Sequence, residues 1–359
     1  MSNNKRENMI RHRKVVAAAL GAMLLAACSS GEPATQAQPT VTSTPEPELE
    51  QELEPVEEPK PEATVLSTEI AVAEGFGFAY HLHESLPSEW VAEFESIMDD
   101  MGELAPISPR VSEVSHFQSP MDIWAWVNTV ENPFPEVPGV SGMCICGDGP
   151  ESWMSLEMHP ESFVPQRRGL SDEEKLDIHR YQVIVHEYFH VFQIAISGDR
   201  AEPIWLFEGG AQALENLYSQ QRYGESSFEY SLFPITATWV EDPSPLEGYE
   251  YTQADNNYQF STFMTLALAK ELQLQQGISE ADAFRLVLVD FQEAKFGEDD
   301  WEKVFAETFE MRPEEFYATL NKYTINASPE PWYEGDVVDA SPAMPSKDIR
   351  LEDIFSQTG

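Results

Sequence analysis

The sequence predicts an α+β fold: a small mixed sheet early in the domain, one long apolar helix after it, and a mostly helical C-terminal lobe. Three observations carry this. Residues 69–83 and 152–158 alternate apolar and polar side chains, the period-two pattern of half-buried strands. Residues 176–196 are crowded with Ile, Val and Phe and run to Gly198, a helix stop. Beyond residue 250 the chain reads as helices over about 256–275, 279–293, 299–309 and 313–323, with Ser279 and Asp282 forming a cap signal.

The chain opens with a targeting segment, residues 1–27. Lys5, Arg6, Arg11, Arg13 and Lys14 precede the apolar run Val15–Ala27, whose 13 residues are too few for a permanent membrane span. Leu25-Ala26-Ala27-Cys28 is similar to a bacterial lipobox, which implies export and lipidation of Cys28. Ser29 follows rather than Asp, so an outer-membrane or cell-surface anchor is expected. No other apolar run is long enough to span, so the lipid alone would hold the protein to its membrane.

Residues 28–66 read as a disordered linker. From residue 29 onward they hold nine Glu against one Lys, with Pro and Thr and almost no large apolar side chain. Such a segment buries too little to order itself, and proline with like charges keeps it extended. The domain proper is expected at 67–325, followed by a Pro-rich tail, 326–359, that wraps the surface. The formal charge is -42, and removing the net +4 of residues 1–27 takes it to -46. A polyanion of that size repels nucleic acid, so nucleic-acid binding is excluded.

Within the domain, the strand at 69–83 precedes an amphipathic helix from Pro87 to Met101. A short strand from Val111 to Phe117 and a helix from Met121 to Val127 are expected next, then the strand within Ser152–Met158. Cys144 and Cys146 form Cys-x-Cys between Gly142 and Gly147. Side chains i and i+2 of a strand share a face, so a disulfide and two free thiols both stay open.

The apolar helix carries the chemistry. His186-Glu187-Tyr188-Phe189-His190 places two imidazoles four residues apart, on one face of a helix. Glu187 is rotated from His186 by about 100°, so it flanks their common point. Leu170-Ser171-Asp172-Glu173-Glu174 reads as a capping box that starts this helix, with Ser171 at the N-cap. Pro203 opens a second helix, 204–218, which would aim Glu208 at the two histidines; Gly209, Gly210 and Ala211 allow close approach. Two imidazoles and a carboxylate with a fourth position open make a hydrolytic zinc set: His186, His190 and Glu208 as ligands of Zn2+, Glu187 as general base. His179 lies two turns before His186 and reads as a surface or supporting residue; His81, His83, His116 and His159 read as ordinary.

This motif, with Trp205-Leu206-Phe207-Glu208-Gly209-Gly210-Ala211 and on to Glu215, resembles the gluzincin (peptidase MA-like) zinc metallopeptidases, and the WLNEGxAxxxE segment of their aminopeptidase-like branch in particular. The resemblance spans roughly 70–325, but only 186–215 is specific. It implies a zincin-like fold and peptide-bond hydrolysis, here as an endopeptidase on a peptide or protein substrate. Gln193 and Ile196 stand where metzincins carry Gly and a third His. The GxMEN segment that grips a free N-terminus in aminopeptidases is missing. Gln212 stands where thermolysin-like members have an Asp bonded to a ligand histidine, a place where glutamine accepts less strongly. In gluzincins the strand before the ligand helix is the sheet edge that pairs with substrate; residues 153–158 take that place, with a buried inner strand as the alternative. A Tyr or His from the later helices often stabilises the oxyanion, which makes Tyr258 the first candidate and Tyr251 the second; a plain core or surface tyrosine stays open. Two other functions remain open as well: a lipid-anchored binding protein on an inactive peptidase fold, and a zinc hydrolase acting on cell-wall peptides.

Overall fold

The computed structural model describes residues 65–69, 76–107, 117–130, 133–134, 143–147, 151–167, 174–175, 178–198, 201–226, 228, 235, 237–248, 257–295, 300–328 and 335–356. The targeting segment, Cys28, and the linker up to residue 64 lie outside them. So do His116, Tyr251 and most of the strand expected at 111–117, of which Phe117 is described in no regular element.

The fold is α+β. Five strands form a mixed sheet in the order β1-β2-β3-β5-β4: β1 Val65–Glu69, β2 Phe78–His83, β3 Met121–Val127, β4 Met143–Cys146 and β5 Trp153–Met158. The central pairs β2/β3 and β3/β5 are parallel; the outer pairs β1/β2 and β5/β4 are antiparallel. Helix α1 (Ser88–Leu104) makes the crossover between β2 and β3. Alternate residues of the three central strands point inward and are buried: Phe78, Tyr80 and Leu82, then Met121, Ile123 and Ala125, then Met154, Leu156 and Met158. Trp90, Phe94, Ile97, Met98 and Met101 of α1 join the same core.

Two strand expectations need correction. Met121–Val127, expected as a helix, is β3. Its inward residues recur at period two, Trp and Ile favour a pleated surface, and parallel neighbours on both sides satisfy its backbone. The edge role given to 153–158 also fails, because β5 lies between β3 and β4 and is paired on both sides over 154–156; among the described residues β4 is the edge strand on that side.

The start of the apolar helix differs as well. Glu174–Lys175 pairs with Gln166–Arg167 as a two-stranded ribbon, β7 with β6, so the capping box does not form. Helix α2 runs His179–Ser197, with no side-chain cap at Ile178, and Gly198 ends it in the left-handed region at φ 68°. Packing supplies what the cap would have: fourteen of its residues are buried. It lies against α1, with the Trp90 indole donating to the Arg180 carbonyl (2.9 Å) and the Tyr188 hydroxyl to the Ala105 carbonyl (3.0 Å).

Helix α3 (Ile204–Tyr223) runs five residues beyond the expected 218, with Pro203 at its N-cap. After the short α4 (Thr238–Glu241), helix α5 (Asn257–Gln276) packs along α3 in the most extensive helix pairing of the fold. The rest is helical as expected: α6 Glu280–Arg285, a π turn Leu286–Asp290, α7 Phe291–Ala294, α8 Trp301–Phe309 and α9 Pro313–Leu320. Ser279 caps α6, its hydroxyl accepting from the Asp282 amide at 3.1 Å. The tail is not confined to the surface. Strands β8 (Ile325–Ala327) and β9 (Asp336–Val338) pair, and α10 (Leu351–Phe355) buries Leu351 and Ile354 in the main core. No helix among the described residues is long and apolar enough to cross a membrane.

Candidate metal centre

The three expected ligands come together. His186 and His190 sit one turn apart on α2, and their Nε2 atoms are 3.0 Å from each other. Glu208, in the second turn of α3, brings Oε2 to 3.5 Å from His186 Nε2 and 3.3 Å from His190 Nε2. Glycine makes this approach sterically feasible. A Cβ on Gly209 would overlap the Ser261 carbonyl of α5, and one on Gly210 would press on Gln193 Nε2 at 3.2 Å. Gly209 thus lets α3 settle onto α5, and Gly210 lets it settle onto α2.

A further layer orients the rings. His186 Nδ1 is 3.0 Å from Glu215 Oε2, and His190 Nδ1 is 2.9 Å from Gln193 Oε1. A carboxylate only accepts, so His186 donates through Nδ1. The Gln193 amide nitrogen donates to the Phe207 carbonyl (3.0 Å), which leaves Oε1 to accept from His190. In their neutral forms both rings therefore aim an unprotonated Nε2 at the shared point. The His190 ring also stacks on Phe207, centroids 4.4 Å apart.

Those distances suit a tetrahedral divalent ion. With bonds of about 2.0–2.1 Å, neighbouring ligand atoms lie about 3.3 Å apart, against 3.0, 3.3 and 3.5 Å here. The group can hold a metal ion, and it is the cluster of this kind found among the described residues. The electrostatics agree. Burial pulls the His186 pKa down, but the Glu208 and Glu215 carboxylates more than reverse it, to well above the usual imidazole value. Burial pushes Glu208 up, and His190 and His186 overcome it, to about 2. Burial also raises Glu187, and the two histidines only partly offset this. The carboxylates of Glu187, Glu208 and Glu215 surround the two imidazoles and favour positive charge on His186, so a cation that displaces that proton suits the same place.

The other expected residues are placed as follows. Glu187 is buried on α2 beside His186. Tyr258 stands half-buried in the first turn of α5. Gln212 does not reach a histidine: its Oε1 accepts from the Thr262 hydroxyl of α5 at 2.5 Å. The expectation that it supports a ligand is corrected, and Glu215 does that work. Glu215 lies seven residues after Glu208, so it returns to the same helical stripe, a signal already present in the sequence. Gln193, three residues after His190, carried the same kind of signal. His179 is the half-buried first residue of α2. The outlying histidines are engaged locally: His81 with Asp122 (2.7 Å), His83 with Ser85 (2.9 Å), and His159 accepting from the Glu161 amide (3.3 Å). Two surface grooves, one beside Arg222 and Arg350 and one among Glu241, Glu247, Glu302 and Glu314, are lined by none of the ligands. No family model, curated protein or solved structure matches this chain.

Proposed function

We propose that this chain is a zinc-dependent peptidase of the gluzincin type, acting as an endopeptidase, with His186, His190 and Glu208 holding the ion. The observation that carries the reading is the convergence of three donor atoms at tetrahedral spacing, with each imidazole fixed from behind. A bound zinc supplies a Lewis acid that polarises a carbonyl and lowers the pKa of a coordinated water toward neutrality.

The chain's own groups do the rest. Glu215 and Gln193 hold the two rings in the tautomer that leaves Nε2 free, so the donor set stands ready before any substrate arrives. Glu187, next to His186, flanks the donor atoms and has a buried carboxylate that accepts a proton from water and returns it to the departing amine. Tyr258, at the start of the helix packed on α3, is proposed as the hydroxyl donor to the developing oxyanion. The basic and apolar leader of residues 1–27, with Cys28 directly after it, supports an exported, lipid-anchored protein.

The test is Glu187→Gln in zinc-loaded protein, with metal content measured by elemental analysis and cleavage by a peptide-library digest. Zinc should remain near one per chain while cleavage falls by about 10²-fold or more. Unchanged cleavage would remove Glu187 as the base, and wild-type protein that binds zinc but cleaves nothing would leave a binding protein.

A further inference from the structure

Away from the metal centre, on the edge strand β4, Cys144 and Cys146 are joined in a disulfide at a sequence separation of 2. Closing so short a loop removes little entropy from the unfolded chain, far less than loops of about 15 residues or more. Stabilisation is therefore a weak reason for the bond. Its surroundings supply another. In the β4/β5 register Cys144 is opposite Ser155, and Cys146 is opposite Trp153. Met143 and Ile145 point the other way and pack on the core. Both sulfurs thus lie on the sheet face turned from the core, with Cys144 half-exposed and Cys146 buried.

Among the described residues, the two residues across the strand each carry a buried polar atom without a hydrogen-bond partner: Ser155 Oγ, in a residue that is 0 % exposed, and Trp153 Nε1. Directly opposed side chains in an antiparallel pair share a face and have Cβ atoms about 4.5–5.5 Å apart, which makes Ser155 and Trp153 the cross-strand neighbours of the two cysteines. A disulfide sulfur accepts weakly, whereas a thiolate accepts strong, charge-assisted bonds. The orphaned donors thus belong to the residues paired with the cysteines that become charged when the bond opens.

We propose that Cys144 and Cys146 form a thiol–disulfide exchange site, cycling between disulfide and dithiol by reaction with a small thiol or with the dithiol of a redox partner, and that Ser155 and Trp153 stabilise the opened form. An external thiolate attacks the half-exposed Cys144 Sγ. The Cys144–Cys146 bond breaks, and Cys146 leaves with the electron pair as a thiolate facing Trp153. A second external thiolate attacks the external sulfur of the mixed disulfide and releases Cys144 as a thiolate facing Ser155. Two external thiols are oxidised to one disulfide, the cysteine pair gains two electrons, and the two protons pass to the cysteine sulfurs or to buffer.

The test equilibrates the full chain in buffers of graded reduced-to-oxidised dithiothreitol. Free thiols are trapped by alkylation, the peptide containing 143–147 is weighed by mass spectrometry, and circular dichroism follows the fold. The expected result is a reversible two-electron transition in folded protein. Ser155→Ala and Trp153→Phe should each shift its midpoint by about tenfold toward excess reductant. Ser155→Ala removes one oxygen and keeps the packing, so it reports even if Trp153→Phe disturbs the strand. A bond that opens only with unfolding, or a wild-type midpoint in the folded Ser155→Ala variant, would overturn the proposal. The readout is independent of metal and of hydrolysis.

Discussion

Replacing Gln193 with leucine tests the layer behind the metal ligands. The residue is 0 % exposed, and its amide spans two helices: Oε1 accepts from His190 Nδ1 at 2.9 Å, and Nε2 donates to the Phe207 carbonyl, next to Glu208, at 3.0 Å. Leucine fills about the same space, leaves His190 Nδ1 without its acceptor, and takes from the Phe207 carbonyl only its second donor, since that carbonyl keeps its place in the α3 ladder. One orphaned group costs about 1–3 kcal/mol, so the metal-free protein should lose about that much unfolding free energy. The effect on the ion is separate. Without Oε1, the His190 proton is free to move to Nε2, where Glu208 Oε2 waits at 3.3 Å. That tautomer cannot ligate, and zinc affinity should fall about 10- to 100-fold, or about 1.4–2.8 kcal/mol. Competition against a chromophoric chelator measures the affinity, and urea unfolding in chelator measures the stability. Gln193→Glu separates the two roles: it keeps an acceptor for His190 but loses the bond to Phe207, so stability should drop while affinity holds. A folded Gln193→Leu protein with zinc affinity within about twofold of wild type would refute the reasoning.

Other expectations follow from the same contacts. Gly209→Ala drives a Cβ into the Ser261 carbonyl, a backbone atom that cannot swing aside. It should destabilise by about 1–3 kcal/mol or more and weaken zinc binding, measured by thermal melts and chelator competition. Gly102→Ala is the contrast: the site is exposed on α1, nothing lies within 4 Å, and helix propensity alone should add about 0.5–1 kcal/mol. Glu93 is raised by burial but more than compensated by hydrogen bonds from Arg222 (2.7 Å) and Tyr223 (2.6 Å), so its pKa lies below the ordinary 4.5. A depressed carboxylate contributes stability that is full above 4.5 and is lost as pH falls through the lowered value. Glu93→Gln should therefore flatten the acid side of the stability profile in urea titrations, and an unchanged slope below pH 4.5 would count against this pairing.

Much of the candidate site was legible in the sequence because its first part is local. Residues four apart on a helix must share a face, so His186 and His190 needed no tertiary information. The glutamate after a short turn, followed by two glycines, announced a second helix packed close to the first. The partner of each imidazole was less legible. Gln212 and Glu215 are both plausible by spacing, and the choice depends on how α3 rotates against α2. Packing of Gly209 on α5 sets that rotation and turns Gln212 toward Thr262.

Elsewhere the same division holds. Helix periodicity after residue 250, the Ser279 cap and the Gly198 stop were determined by the chain alone, since each depends on neighbours within a turn or two. Met121–Val127 was not, because seven apolar-rich residues satisfy either period until parallel strands claim both sides of the backbone. The order of β4 and β5, and with it which strand lies at the edge, is decided by long-range pairing. So is the placing of Ser155 and Trp153 opposite the two cysteines, because register joins residues that no local rule brings together.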